Sequence, residues 1–145
     1  MSSNRPLRAV LLVSSMALLS ACAFRHETKP EPAPTPVFRA RTDIGKDAKA
    51  PQVFRDTAKV RAAWLLIDTG TYEQVAAEAE ALTGPTQAMR NSAREALGLS
   101  AYKHDDFVKA KGWFEQITAD TQAPRNVINR AQIMLDNITA SGKAP

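Results

Sequence analysis

Cysteine occurs once in the 145 residues, at Cys22. That excludes an internal disulfide and any zinc site built on cysteine pairs. There are two histidines, His26 and His104. With no thiol beyond residue 22, a Cys/His nucleophile cannot form in the later part of the chain. His104 lies beside Asp105 and Asp106, carboxylates better placed to start a helix than to bind a metal. Six glycines are scattered without forming a phosphate-cradling loop, and no carboxylate pair stands out from ordinary solvated helix faces. A catalytic residue, a metal, a cofactor and a small-molecule substrate are therefore not expected. Charge of one sign is also lacking where a folded domain would lie: Val53 to Pro145 holds 11 Lys+Arg against 11 Asp+Glu. The excess belongs to Met1 to Gln52, with 8 against 4, so the domain has no basic stripe for nucleic acid. Finally, the longest apolar run near the start, Ala9 to Leu19, has 11 residues. A bilayer core needs about 20.

That short run has a meaning of its own. Ser2, Ser3, Asn4, Arg5 and Arg8 precede it and the small residues Ser20 and Ala21 follow, the layout of a secretory signal over residues 1–21. Leu19-Ser20-Ala21-Cys22 resembles the lipobox of bacterial lipoproteins. The resemblance implies cleavage before Cys22 and lipid attachment to its thiol and amine. The competing readings are an ordinary cleavage site that happens to end in Cys22, or a short uncleaved anchor. Residues 22–52 follow, with Pro30, Pro32, Pro34, Pro36 and Pro51 and few large apolar side chains. Alternating proline favours extended polyproline II, so this stretch reads as a flexible or semi-rigid spacer that holds a domain off the lipid.

From Val53 the texture changes to helical periodicity, and an all-α domain is expected over residues 53–140, with a disordered tail at 141–145. Five helices can be read. The first runs from Val53 to Ile67 with Phe54, Ala58, Ala62 and Leu65 on its apolar side, and ends at Asp68-Thr69-Gly70-Thr71. The second covers Tyr72 to Leu82, and the third Thr86 to Tyr102, with Pro85 suited to its first turn. The fourth, capped by Asp105 or Asp106, carries Phe107, Ala110, Phe114 and Ile117; the fifth, Arg125 to Ile138, carries Ile128, Ala131, Leu135 and Ile138.

The helix pairs repeat at a period of 35 residues: Ala62, Ala63, Leu66, Ile67, Tyr72, Val75, Ala79 and Leu82 align with Leu97, Gly98, Ala101, Tyr102, Phe107, Ala110, Phe114 and Ile117. The second unit is similar to a tetratricopeptide repeat, with Gly98 and Ala110 at the positions where helices approach closely. The first departs from the pattern, with Ala63 for the usual glycine and Ala79 for a large residue. Two such units and a capping helix make a short solenoid. Phe54-Arg55-Asp56, Ala93 through Leu99, Phe114 through Ile117, Ala119 through Pro124 and Arg130-Ala131-Gln132 further resemble the C-terminal half of a bacterial tetratricopeptide family. That family is related to the ancillary SecYEG translocon subunit and the cell division coordinator CpoB. The resemblance implies a protein-binding module without catalysis, tethered to a membrane and facing the periplasm, with the Sec translocon among its candidate partners. It also implies an inner surface lined by Trp64, Glu95, Leu99, Tyr102 and Lys103 that holds a partner segment. Ala23 after Cys22 points to the outer membrane by a family-level rule, and the translocon resemblance points to the inner one. A structural lipoprotein that associates with itself is the alternative.

Overall fold

The computed structural model describes residues 35–144, and the signal-like start, Cys22 and the prolines before Thr35 lie outside them. The described residues are all-helical: α1 (Pro36–Lys46), α2 (Gln52–Leu66), α3 (Tyr72–Ala79), α4 (Arg90–Lys103), α5 (Phe107–Thr118) and α6 (Arg125–Ser141), with a 3-10 turn at Glu80–Leu82.

α1 overturns the expectation of a spacer running to residue 52. Pro36 sits in the first turn of a helix, where its missing N–H would have had no partner and its fixed φ already suits helical backbone. Thr35 caps that turn, accepting from the Phe38 N–H at 3.3 Å. No further proline occurs before Pro51, so nothing stops the helix until Asp47. α1 packs on α2, and Gly45 marks the approach: a Cβ there would stand 2.9 Å from Lys59 Cγ.

Local chemistry also sets the later boundaries. α2 closes with the Gly70 N–H donating to the Leu66 carbonyl at 2.7 Å. α3 then starts in a reciprocal cap, in which the Thr71 N–H donates to Gln74 Oε1 at 2.9 Å and the Gln74 N–H returns to Thr71 Oγ1 at 3.4 Å. α4 begins at Arg90 rather than near Thr86, because residues 84–90 are taken up by successive turns from Gly84 to Gln87 and from Gln87 to Arg90. Asp106 caps α5 through the Lys109 N–H at 3.0 Å, following Asp105 at φ 60°. α6 ends at Gly142, φ 65°, a left-handed position that glycine adopts without strain. The expected disordered tail is instead partly engaged: Lys143 Nζ lies 4.6 Å from the Phe107 ring centroid, and Ala144 packs against the cluster around that ring.

α4 lies at the centre. Its Ala93, Ala96 and Leu97 pack with Val60, Ala63, Val75, Ala79 and Leu82. Further along, Ala101 joins Phe107, Ala110, Phe114, Ile117, Val127, Ala131 and Ile138. Of the sixteen repeat positions, twelve are buried and Leu66, Ile67, Tyr72 and Tyr102 lie at the edge of the core. Gly98 is the closest approach, since a Cβ there would meet the Phe114 ring at 2.8 Å. The first helix buries only half of the side its apolar residues suggested, Ala58 and Ala62 but not Phe54 and Leu65. Ala58, Val60, Ala62 and Ala63 face inward, while Phe54 and Leu65 face outward.

Candidate functional site

The five residues expected to line an inner groove are placed unevenly. Glu95 is 3% exposed, and its two oxygens accept from Arg130 Nε at 2.5 Å and Nη2 at 2.8 Å. Leu99 and Tyr102 pack on the α5–α6 cluster, Tyr102 edge-on to Phe107 with centroids 5.2 Å apart. Lys103 Nζ donates to the Asp68 carbonyl at 2.6 Å and stands 3.6 Å from its carboxylate. α6 packs against both α4 and α5, so the surface the groove required on α4 is where the final helix rests. Glu95, Leu99 and Tyr102 are thus occupied within the fold, and Trp64 on α2 stays open to solvent. Arg130, 35 residues beyond Glu95, was the charge that could have signalled this pairing.

A polar cluster joins α4 to the α5–α6 connection. Asp120 accepts from Arg90 Nε at 2.6 Å and Nη2 at 3.1 Å, from Asn91 Nδ2 at 2.9 Å and from Arg94 Nη1 at 3.4 Å. Arg90 also donates to Gln122 Oε1 at 2.9 Å. The Arg90 guanidinium above all, with the Gln122 N–H and the Asn91 amide, holds the Asp120 carboxyl far below the usual carboxylate range. The carboxylate's acceptor directions are used inside the fold, so the cluster ties α4 to the α5–α6 connection. Composition and periodicity do not reveal it. Its one local signal is the Asp120-Thr121-Gln122 turn, closed by the Gln122 N–H on Asp120 Oδ1 at 2.9 Å.

Trp113 also works inside the fold, donating from Nε1 to the Tyr72 hydroxyl at 3.0 Å. Lys109 lies 4.3 Å from the Tyr72 centroid and 2.8 Å from Asp106, which raises the pKa of the lysine and lowers that of the aspartate. His104 Nδ1 is 2.7 Å from the Ser100 carbonyl, a contact in which that nitrogen carries the proton. Among the described residues no group of three or more His, Cys, Asp or Glu side chains gathers, and no helix is long and apolar enough to cross a membrane.

What remains exposed and apolar is concentrated on α2. Val53 and Phe54 are each 61% exposed, and Trp64 and Leu65 each 37%. At about 100° per residue they share one arc of roughly 120° with Thr57 and Arg61, bordered by the buried Ala58 on one side and Val60 on the other, with Ala63 on the far side. The charged residues of α2 that reach solvent are Arg55, Lys59 and Arg61. Its one acid, Asp56, is buried and accepts from Gln52 Nε2 at 2.6 Å. Of these charges only Arg61 lies within the arc, so the arrangement is an aromatic-bearing apolar helix face with one arginine in it. Neither a protein-family model, nor a curated protein, nor a solved structure matches the chain.

Proposed function

We propose that this protein is a non-catalytic, membrane-tethered protein-interaction module of the bacterial cell envelope. Cys22 carries the lipid anchor, and the helical domain, a degenerate tetratricopeptide-like repeat, offers a binding surface in the periplasm. The 35-residue register of α2–α3 against α4–α5 supports the repeat reading, and the lipobox-like Leu19-Ser20-Ala21-Cys22 supports the anchor. The observation that carries the binding role is the outward face of α2, where Val53 and Phe54 are mostly exposed and Trp64 and Leu65 partly so, although three of the five buried positions on the same helix are filled by alanine. Contiguous exposed apolar surface of this kind marks interaction sites. The docking surface proposed is therefore α2's open face, with Trp64 the one expected groove residue retained. Assistance to protein export beside the Sec translocon and envelope assembly are the roles to which the resemblance leads.

A photo-crosslinking residue at Thr57, in the middle of the face, tests this in intact cells, with one at Ile133 on the far helix α6 as control. The expected result is a discrete crosslinked protein from position 57, weakened by Phe54→Ser. Absence of any product from 57, or the same product from 133, would sink the proposal, and capture of only a second copy of the chain would favour the self-associating lipoprotein.

A further inference from the structure

The chemistry of the α2 face narrows what it binds. This step rests on α2 being the docking surface. Val53 and Phe54 form one apolar pair and Trp64 and Leu65 a second, eleven positions on. Eleven residues are about three helical turns, so the two pairs are about 16 Å apart along the axis and within about 20° of the same direction. Arg61 lies between them, near the middle of the arc, with Thr57 beside it; Arg55 and Lys59 point elsewhere, Arg55 to the Ala48 and Ala50 carbonyls and Lys59 to Gly45 of α1. No exposed carboxylate on α2 answers Arg61. A partner that fills the face must therefore offer apolar groups three turns apart and negative charge between them.

We infer that α2 docks an amphipathic helix of a partner protein, laid along it, with apolar residues at i and i+11 and a glutamate or aspartate between them facing Arg61. A helix meets the spacing because its own period brings residues eleven apart back to one face, the same geometry that α2 presents. A carboxylate opposite Arg61 pairs with a guanidinium whose planar fork donates two hydrogen bonds to it.

Two other occupants fit the same face less well. A bilayer would take up the four apolar side chains, but helices that lie in an interface keep their cations on the polar side. Here Arg61 sits inside the apolar arc and would be pressed toward the acyl chains. A second copy in antiparallel register would set Phe54 against Trp64 and Thr57 against Arg61. It would then place two Arg61 side chains about one turn apart with no carboxylate between them, a like-charge contact that disfavours self-pairing.

The test uses the full chain in mild detergent and two synthetic helical peptides of alanine and glutamine as probes. Both carry leucine pairs eleven residues apart; one has two glutamates between the pairs and the other two lysines. Fluorescence anisotropy should show the glutamate peptide binding at least about tenfold more tightly than the lysine peptide. Arg61→Glu should reverse that order without changing helicity or melting, since Arg61 is exposed. Equal binding of both peptides, or an unchanged order in Arg61→Glu, overturns the acidic-helix inference while leaving α2 a docking face. If neither peptide binds, the inference also falls, and crosslinking at Thr57 then shows separately whether the docking reading survives. Quenching of Trp64 by brominated acyl chains in phosphatidylglycerol vesicles, in a Trp113→Phe background, would assign the face to a lipid surface instead. A mass that rises with protein concentration and falls back in Phe54→Ser would assign it to a second copy.

Discussion

α2 and α3 meet α4 mostly through Val60, Ala63, Val75 and Ala79, whereas α5 and α6 meet it through Phe107, Phe114, Ile117, Val127 and Ile138. The same central helix is thus lined by small side chains on one flank and large ones on the other. The N-terminal flank also packs Leu66, Ile67, Tyr72 and Leu82 inward, but four of its large apolar residues, Val53, Phe54, Trp64 and Leu65, are turned outward. On the C-terminal flank the large residues are inside, and α6 covers the α4 surface that carries Glu95, Leu99 and Tyr102. The contrast separates two uses of apolar surface within one small fold. One flank supplies Phe114, Ile117 and Ile138, among the largest fully buried side chains, and the other presents surface that a partner can bury.

The most direct way to break this comparison is to truncate one phenylalanine on each flank. Phe114→Ala removes a fully buried ring and should cost about 3–5 kcal/mol in urea denaturation, a large share of a small domain's stability. Phe54→Ala should stay within about 0.5 kcal/mol of wild type, because its ring stands in solvent. Equal losses would mean that the outward face contributes to the fold and is not reserved for binding.

Two glycines sharpen the picture on a finer scale. At Gly98 a methyl group would press on the Phe114 ring, so Gly98→Ala should destabilise by about 1–3 kcal/mol despite alanine's better helix propensity. Gly112 lies inside α5 with nothing within 4 Å of its absent Cβ. Gly112→Ala should therefore stabilise by up to about 1 kcal/mol. Paired melting curves check both signs at once, and a stabilising Gly98→Ala would contradict the close packing of α4 on α5.

The smallest effect is confined to acid. Asp120 has its pKa lowered on folding, so its contribution is complete above the unfolded value near about 4 and is lost as pH falls through the folded value. Wild type should be more stable than Asp120→Asn at neutral pH, with the gap closing only below about pH 4. A gap independent of pH from 7 to 2 would show that the carboxylate's charge is not what ties α4 to the α5–α6 connection.

Much of the helical architecture could be read before the structure because it follows from period and caps: Phe107, Ala110, Phe114 and Ile117 at spacings of three and four, Asp106 at a helix start, and Gly70 in a turn. Burial was legible where one apolar stripe was available. It was half legible on α2: Ala58 and Ala62 of the expected side are buried, while Phe54 and Leu65 beside them turn outward, because small residues let the neighbouring helices come close. α1 was hidden because alternating prolines suggest extended chain, and only the pairing of Thr35 with Pro36 shows where that pattern can give way to a helix. The groove drawn across Trp64, Glu95, Leu99, Tyr102 and Lys103 was not realised, since nothing in local periodicity says where α6 will lie. The Arg130–Glu95 and Arg90–Asp120 contacts, 35 and 30 residues apart in sequence, are products of the assembled fold.

Tyr72 is in contact with the apolar groups on both sides of α4, and its hydroxyl accepts a hydrogen bond from the Trp113 indole N–H across 41 residues of chain. A stack of helical repeats can in principle melt from one end, each unit depending only on its neighbour. A single side chain wedged between both halves opposes that piecemeal loss, because the amino-terminal pair cannot peel away without uncovering the indole of α5. The indole is therefore a spectroscopic witness to the seam, and its emission should change in step with overall helix content, as one cooperative transition rather than two.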